Sequence, residues 1–298
     1  MNHQSDIMIN EVGLRDGLQG VVQPVTTEQR INIITLLIEA GLRFIQVCSF
    51  VNPKKIPQMS KAEQLVKQLP QQDGIKYSSF VLNQIGLERA HSVGIKKIET
   101  SLSVSESYSQ KNMGLSVKDA QAQIMDIVSS AKKAKMDIRA GLQCVWGCAY
   151  EQKPGLPRIL KLLENLLKSE VEVICLADSI GAAKPDEIEI VLENIIKTFP
   201  EINIALHLHI NKFQRENIKL AVDMGVNQFD TSIGGIGGSP YMQGSKGNIA
   251  TEETVDLLNT LGIRSGIDLF NLAKASRFLD GIIDSAYFHG KLYKLLSK

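Results

Sequence analysis

The sequence predicts an α/β fold, a closed (β/α)8 or TIM barrel that is followed by extra C-terminal helices. Short, apolar, β-branched segments alternate with longer segments of 3.6-residue periodicity, which is typical of parallel strands joined by crossover helices. Eight such pairs favour a closed barrel over an open sheet. The 298 residues accommodate a barrel of roughly 250 residues and a short appendage.

The strand and helix predictions follow from these patterns in chain order. The predicted strands are 7–12, 43–48, 76–81, 97–103, 137–145, 171–177, 203–209 and 227–232. The predicted helices lie near 27–40, 59–69, 84–93, 116–134, 156–169, 186–198, 212–224 and 251–262. Thr26 and Ser60 are candidate caps, and Pro185 is a candidate first-turn residue.

The segment after the eighth unit is predicted to be a helical extension. Residues 265–298 carry apolar positions in excess of what an exposed tail would have, namely Ile267, Leu269, Phe270, Leu272 and Ala273. We therefore expect a barrel over 1–264 and an extension over 265–298 that packs on it and contributes to a homodimer. Neither a flexible linker nor a close repeat indicates a second domain.

Composition restricts the partners and the compartment. With 33 Lys+Arg against 32 Asp+Glu and a net charge of +1, the chain lacks the basic field that holds nucleic acid. No apolar run approaches the ~20 residues of a membrane helix, and the N-terminus does not resemble a signal peptide. The four cysteines are too few for a disulfide scaffold, so we expect a cytoplasmic protein that binds a small molecule.

Polar side chains cluster where three predicted strands end, which is where barrel enzymes carry their active sites. The first strand ends at Glu11, shortly before Arg15 and Asp16, and the sixth ends at Asp178. The seventh ends with His207-Leu208-His209, and alternation in a strand directs both imidazoles to one side. These residues are expected to meet at one rim.

The His-x-His pair indicates a metal site. Two imidazoles and oxygen donors such as Asp16 suit Mg²⁺, Mn²⁺ or Zn²⁺, with coordination positions left for a chelating substrate. A hydrogen-bonded structural role for each histidine is the alternative interpretation.

A glycine-rich segment, 234–248, follows the eighth strand. It contains six glycines in 15 residues, so its backbone can approach a ligand closely or act as a mobile lid. Its spacing matches neither a phosphate-binding P-loop nor G-x-G-x-x-G. A flexible surface connection is the alternative.

Three segments together resemble one family. The sequences EVGLRDGLQG, SFVNPKKIPQM and GGIGGSPYMQGSKGNIATEE, with CVWGCAYE, LADSIG and HLH in order between them, resemble 3-hydroxy-3-methylglutaryl-CoA lyases of the DRE-TIM metallolyase superfamily. The resemblance covers almost the whole chain. It implies a (β/α)8 barrel and a metal-assisted retro-Claisen cleavage of a 3-hydroxyacyl-CoA to acetyl-CoA and a keto acid.

The resemblance also implies roles for individual residues. The implied metal ligands are Asp16, His207, His209 and Asn248, with Mg²⁺ or Mn²⁺ favoured and Zn²⁺ as the alternative. The implied catalytic residues are Arg15, which would stabilise the enolate oxygen, together with Asp178, Glu11 and Ser239. The implied substrate-binding positions are Gln19, Gln46, Ser49 and Glu252.

The chain departs from the family pattern where protons are handled. Ser239 stands at the position of a loop cysteine, and a hydroxyl is far less acidic than a thiol of pKa about 8.5. Gln46 replaces a glutamate, Gly20-Val21 replaces Asn-Glu, and 210–212 replaces the Asp-Thr that follows the histidines. A changed substrate is therefore one expectation. Two alternatives are a Claisen-type condensing enzyme and a metal-binding homologue without catalysis.

Overall fold

Eight parallel strands form a closed barrel at the centre of the molecule. The computed structural model describes residues 7–238 and 246–296. The strands are β1 (Met8–Glu11), β2 (Phe44–Ser49), β3 (Lys76–Phe80), β4 (Lys97–Ser103), β5 (Asp137–Gln143), β6 (Val173–Ala177), β7 (Ile204–His207) and β8 (Gln228–Thr231). They pair in sequence order, and β8 closes on β1. The predicted barrel is confirmed.

Helices surround the barrel and continue beyond it. They are α1 (Thr27–Glu39), α2 (Ala62–Val66), α3 (Gln84–Ser92), α4 (Glu106–Met113), α5 (Val117–Lys133), α6 (Leu156–Leu167), α7 (Pro185–Thr198), α8 (Gln214–Asp223), α9 (Thr251–Thr260), α10 (Leu269–Asp280) and α11 (Leu292–Leu296). Thr26 caps α1 through a complete capping box with Gln29, as its sequence predicts. The described residues contain no helix that is both long and apolar enough to cross a membrane.

One helix-cap prediction was wrong, and one helix was not predicted. Ser60 does not cap a helix, because a 3₁₀ turn spans Pro57–Met59 and α2 begins only after Lys61. The short helix α4 was not predicted. Its N-cap is Ser105, whose side chain accepts from the Tyr108 N–H, and its C-cap is Gly114, with φ of 75°. Its eight residues are too few for a clear helical period.

The prediction that the seventh strand runs to residue 209 was also wrong. The strand ends at His207, and His209 instead forms an isolated bridge with Asn248. This bridge brings the end of the glycine-rich segment to the barrel rim.

A π-helical turn over Gly13–Gly17 leads out of β1. Its two glycines are required by close packing. A Cβ on Gly13 would lie 2.6 Å from Oε1 of Glu11, and one on Gly17 would lie 2.5 Å from Cγ1 of Ile236. The turn carries Arg15 and Asp16 over the barrel mouth.

The C-terminal helix α10 contacts the end of α1. The N–H of Asp268 donates to the carbonyl of Ala40 over 2.8 Å, which fixes α10 against the end of α1. Leu272 and Leu279 of α10 are fully buried. Phe270, by contrast, is 63% exposed.

Candidate active site

Three of the predicted metal ligands meet at the barrel mouth. One ligand atom from each of Asp16, His207 and His209 lies within 4.8 Å of the other two. The two Nε2 atoms of the histidines are 3.3 Å apart, and Nε2 of His207 is 4.0 Å from Oδ2 of Asp16. The geometry is that of a site able to hold a metal ion.

Asn248 joins the same cluster. Its Nδ2 donates to Oδ2 of Asp16 over 2.9 Å and to the carbonyl of Ile236 over 3.1 Å. Its Oδ1 is buried and has no hydrogen-bond partner among the described residues. A buried acceptor without a donor is costly, whereas an amide oxygen beside a carboxylate and two imidazoles fits a divalent cation.

The electrostatics favour the ligand-competent forms. Burial, followed by the neighbouring His207, lowers the pKa of His209 to about 3, so its imidazole is neutral at pH 7. Burial opposes ionisation of Asp16, but Arg15 and the two histidines outweigh it and hold the pKa of Asp16 below its usual range. The cluster therefore presents a carboxylate and a neutral imidazole to a cation.

Arg15 lies directly beside the group of candidate metal ligands, Asp16, His207, His209 and Asn248, which we call the metal cluster. Its Nη1 donates to Oδ1 of Asp16 over 2.6 Å, and its Nε donates to Oε1 of Gln46. Its guanidinium carbon lies 4.6 Å from the ring centroid of Phe80. The first two contacts connect residues that the motifs singled out, but the contact with Phe80 was not predicted.

A cavity of about 350 Å³ opens onto this cluster. Among the predicted site residues, its walls include Arg15, Asp16, Gln19, Ser49, His207 and His209. The unpredicted helix α4 supplies Tyr108, Asn112 and Met113 to the lining. The cavity is large enough for the reacting end of a substrate beside the metal ligands.

Glu11, Asp178 and Glu252 lie outside the cavity lining. Each of these buried carboxylates holds a loop at the rim. Glu11 accepts from the N–H groups of Gly13 and Ile233 and from the hydroxyl of Thr251.

The other two carboxylates act in the same way. Asp178 accepts from the N–H groups of Ala182 and Ala183, and Glu252 accepts from the Gly234 N–H and from Ser276. Burial raises the pKa of Glu11 to about 7 and that of Glu252 to about 8. Burial also raises the pKa of Asp178.

Ser239 lies outside the described residues, so its contacts are not part of this geometry.

A buried ionic network below the cluster was missed by the sequence reasoning. Asp230 lies 3.1 Å from Nδ1 of His207 and accepts from Arg139 over 2.7 Å and from Asn10 over 2.9 Å. Arg139 also binds Glu99 over 2.9 Å. The available signal was a charged residue in the interior of each of three predicted strands, Glu99, Arg139 and Asp230, where alternation can point it into the barrel.

The comparisons with known proteins agree with this geometry. The family model described as HMGL-like matches residues 6–279. Hydroxymethylglutaryl-CoA lyase of Bacillus subtilis is 36% identical over 281 residues, which cover 94% of each protein. A crystal structure of the B. subtilis HMG-CoA lyase superposes with a TM-score of 0.94, at 34% identity over 100% of both chains.

A second solved structure contains ligands. It is an HMG-CoA lyase from Acinetobacter baumannii in complex with coenzyme A and 3-methylmalate, with a TM-score of 0.89 at 29% identity over 95% of this chain and 92% of that one. Because the family model covers most of the sequence and the 36%-identical lyase aligns with 94% of it, this chain belongs to the HMGL-like family, as its motifs predicted.

Proposed function

We propose that this chain is a divalent-metal-dependent carbon–carbon lyase that cleaves a 3-hydroxyacyl-CoA, of the hydroxymethylglutaryl type, to acetyl-CoA and a keto acid. The observation that carries the proposal is the cluster of Asp16, His207 and His209 in direct contact with the guanidinium of Arg15. The names of the relatives, hydroxymethylglutaryl-CoA lyases, support the same substrate class.

The proposed metal ligands are Asp16, His207, His209 and Asn248, with Mg²⁺ or Mn²⁺ as the ion. When bound, a divalent ion supplies a Lewis acid that makes a chelated substrate hydroxyl easier to deprotonate. Asp16 is ionised and His209 is neutral before the ion arrives, so these two ligands lose no proton on binding. Asn248 would hold the cation through its buried Oδ1, which has no partner among the described residues.

The proposed reaction breaks the bond between C2 and C3 of the acyl group. The C3 hydroxyl releases its proton to solvent and becomes the carbonyl of the keto acid, while the electrons of the C2–C3 bond move to the thioester oxygen as an enolate. Arg15 stabilises this oxygen, because its charge is permanent. A proton added at C2 then gives acetyl-CoA, and Ser239, at the position of the family's cysteine, is the proposed donor.

The other predicted residues fall into two groups in this proposal. Gln19 and Ser49 line the cavity and contact substrate, whereas Gln46 acts by holding Arg15. Glu11, Asp178 and Glu252 act through the rim loops that they hold.

The direct test is turnover of 3-hydroxy-3-methylglutaryl-CoA with Mg²⁺ or Mn²⁺, with acetyl-CoA followed by mass spectrometry. We expect metal-dependent release of acetyl-CoA that is abolished by chelator and by His207→Ala or His209→Ala. Binding of one metal ion per chain without turnover of any acyl-CoA would support the non-catalytic alternative instead.

A Claisen-type condensing enzyme is the alternative function. Arg15 contacts the neutral Gln46, where the family carries a glutamate, so the chain departs from the lyase pattern beside Arg15. Incubation with acetyl-CoA and a panel of keto acids tests condensation through release of free CoA. Ser239→Cys tests whether the site accepts 3-hydroxy-3-methylglutaryl-CoA. An added thiol raises acetyl-CoA release only if this substrate fits the site.

We also propose a cytoplasmic homodimer. The four cysteines are free thiols and three are buried, which suits a reducing compartment.

The proposed dimer is supported by two exposed aromatic side chains. Phe270 and Phe278 of α10 are 63% and 37% exposed, and large apolar residues exposed on one helix suit an interface between two copies. Light scattering at tens of micromolar should give twice the chain mass, and a monomer there contradicts the dimer.

A further inference from the structure

The guanidinium of Arg15 is held by three different kinds of contact. Asp16 binds Nη1 with its carboxylate, and Gln46 binds Nε with its amide oxygen. Phe80 lies against the guanidinium face, with its ring centroid 4.6 Å from the guanidinium carbon. Among the described residues, Nη2 has no hydrogen-bond partner, so one nitrogen is left for the cavity that Arg15 lines.

Phe80 is fixed in place by the barrel itself. It is the last residue of β3 and pairs with Ser49 of β2. Its carbonyl accepts from the N–H of Phe50 over 2.9 Å. The ring therefore extends from a strand end that β2 holds in place, and it lines the cavity.

The support around Arg15 contains little negative charge. Asp16 is the only carboxylate among the described residues that binds its guanidinium, and Oδ2 of Asp16 is turned toward Asn248 and His207. Gln46 and Phe80 are neutral. An aromatic face attracts a guanidinium within about 6 Å of its centroid without adding a counter-charge, so Arg15 is fixed while its charge remains available to an oxyanion.

We infer that Phe80 is a positioning residue for Arg15: its ring holds the guanidinium by a cation–π contact in the orientation that directs Nη2 into the cavity. The inference rests on the proposed function for its catalytic consequence, but the contact itself is testable without any substrate. The same contact steadies Asp16, because Arg15 and Asn248 hold its two carboxylate oxygens.

The first experiment is a double-mutant cycle on the full-length protein, in chelator, with Phe80→Leu and Arg15→Met. Leucine keeps an apolar side chain but removes the π face. We expect non-additive effects, with a coupling of about 2- to 30-fold in the unfolding equilibrium constant, the range of a cation–π contact. The matched control is Phe50→Leu with Arg15→Met, because Phe50 lies against a different guanidinium, that of Arg89, at 5.4 Å. That pair should be additive.

The second experiment grades the ring electrostatics at constant shape. Phe80 is replaced by mono-, di- and trifluorinated phenylalanines, which weaken the π face stepwise. We expect kcat to fall with each fluorine while KM changes little. Phe80→Leu should lower kcat about tenfold. Phe80→Tyr keeps an aromatic face, so its kcat should stay close to that of the wild type.

The two experiments separate the failure of this inference from failure of the proposed function. If the wild type does not cleave 3-hydroxy-3-methylglutaryl-CoA, the proposed function fails. The double-mutant cycle still shows whether Phe80 and Arg15 interact, because it measures unfolding and needs no substrate. The fluorinated series is then compared by its unfolding midpoints. An additive Phe80–Arg15 cycle overturns the inference whatever the activity. A kcat that is equal across the fluorinated series overturns the positioning role.

Discussion

Nδ1 of His207 lies 3.1 Å from Oδ2 of Asp230, so a buried carboxylate binds one nitrogen of this histidine and leaves Nε2 for the metal cluster. Burial opposes ionisation of Asp230, but Arg139 and His207 hold its pKa well below its usual range. A carboxylate behind a ligand histidine fixes the tautomer and the ring orientation. The buried network of Asp230 and Arg139 therefore fixes the orientation of the His207 ring in the metal cluster.

Asp230→Asn should weaken metal binding by about 10- to 100-fold, the usual effect of losing such a carboxylate. The amide can no longer hold Nδ1–H of His207 as a charged acceptor. Calorimetric titration of Mn²⁺ measures the change, after circular dichroism confirms folding. Asp256→Asn is the matched control, since Asp256 forms a surface pair with Arg215 and should leave affinity unchanged. Equal metal affinity in both variants would remove Asp230 from the site.

Arg15→Met should lower kcat for the true substrate by about 10²–10³-fold, the loss typical of removing one electrostatic stabiliser of a transition-state oxyanion. Methionine retains an apolar chain against Phe80 but carries neither charge nor donors. Steady-state kinetics with saturating metal provide the measurement. Turnover within a few-fold of the wild type would show that the enolate is stabilised elsewhere.

Stability should fall as pH rises through the region where buried acids must ionise. Burial raises the pKa of Glu252 to about 8 in the folded protein, against an ordinary value of 4.5, so folding favours the protonated acid. This contribution is complete below about 4.5 and is lost as pH rises through about 8.

Glu252→Gln keeps a neutral side chain at every pH, so it should reduce the decline in unfolding free energy between pH 5 and pH 9 by roughly 1 kcal/mol or more. Urea unfolding at several pH values measures the slope. Glu189→Gln, on the exposed side of α7, is the control and should leave the slope as in the wild type. An unchanged slope in Glu252→Gln would contradict the assignment.

The sequence was sufficient for the barrel, because strand alternation and strand order determine it. The grouping of His207 and His209 with Asp16 was also expected from the sequence, although His209 lies beyond the end of β7, in a bridge with Asn248. His207 and His209 meet since they are two residues apart, and β1 and β7 both flank β8 in the barrel. The buried carboxylates were harder to interpret. Glu11 looks like a site residue in sequence, and only the fold reveals that it holds the backbone of Ile233.

Contacts between distant segments had no local signal. Phe80 lies 65 positions from Arg15 in the chain. From sequence alone, a phenylalanine at a strand end is interpreted as a residue of the hydrophobic core. The C-terminal segment was predicted to pack on the barrel, yet nothing in its apolar pattern indicated that Gly290 would bind the carbonyl of Gly234 over 2.9 Å. Such contacts depend on how the chain returns to the rim.

Gly247 is confined between Gly235 and the C-terminal residue His289. A Cβ there would lie 2.2 Å from the carbonyl oxygen of Gly235 and 2.2 Å from Cδ2 of His289. The carbonyl of Gly247 accepts from the N–H of Ile210 over 2.9 Å. The residue that follows is the proposed ligand Asn248, so a displacement at Gly247 is transmitted directly to the metal cluster.

Gly247→Ala should therefore lower metal affinity, by about tenfold or more, while the barrel remains folded. Removing the imidazole with His289→Ala should not rescue it, because the clash with the Gly235 carbonyl is with backbone and remains. Gly281→Ala is the matched control: its added Cβ would find its nearest atom at 3.5 Å, an ordinary contact, and φ there is −78°. Mn²⁺ titration of the three variants, with thermal unfolding as the folding check, decides the matter. Wild-type affinity in Gly247→Ala would show that Asn248 is positioned independently of the segment that precedes it, and would remove the C-terminal residues from any part in the site.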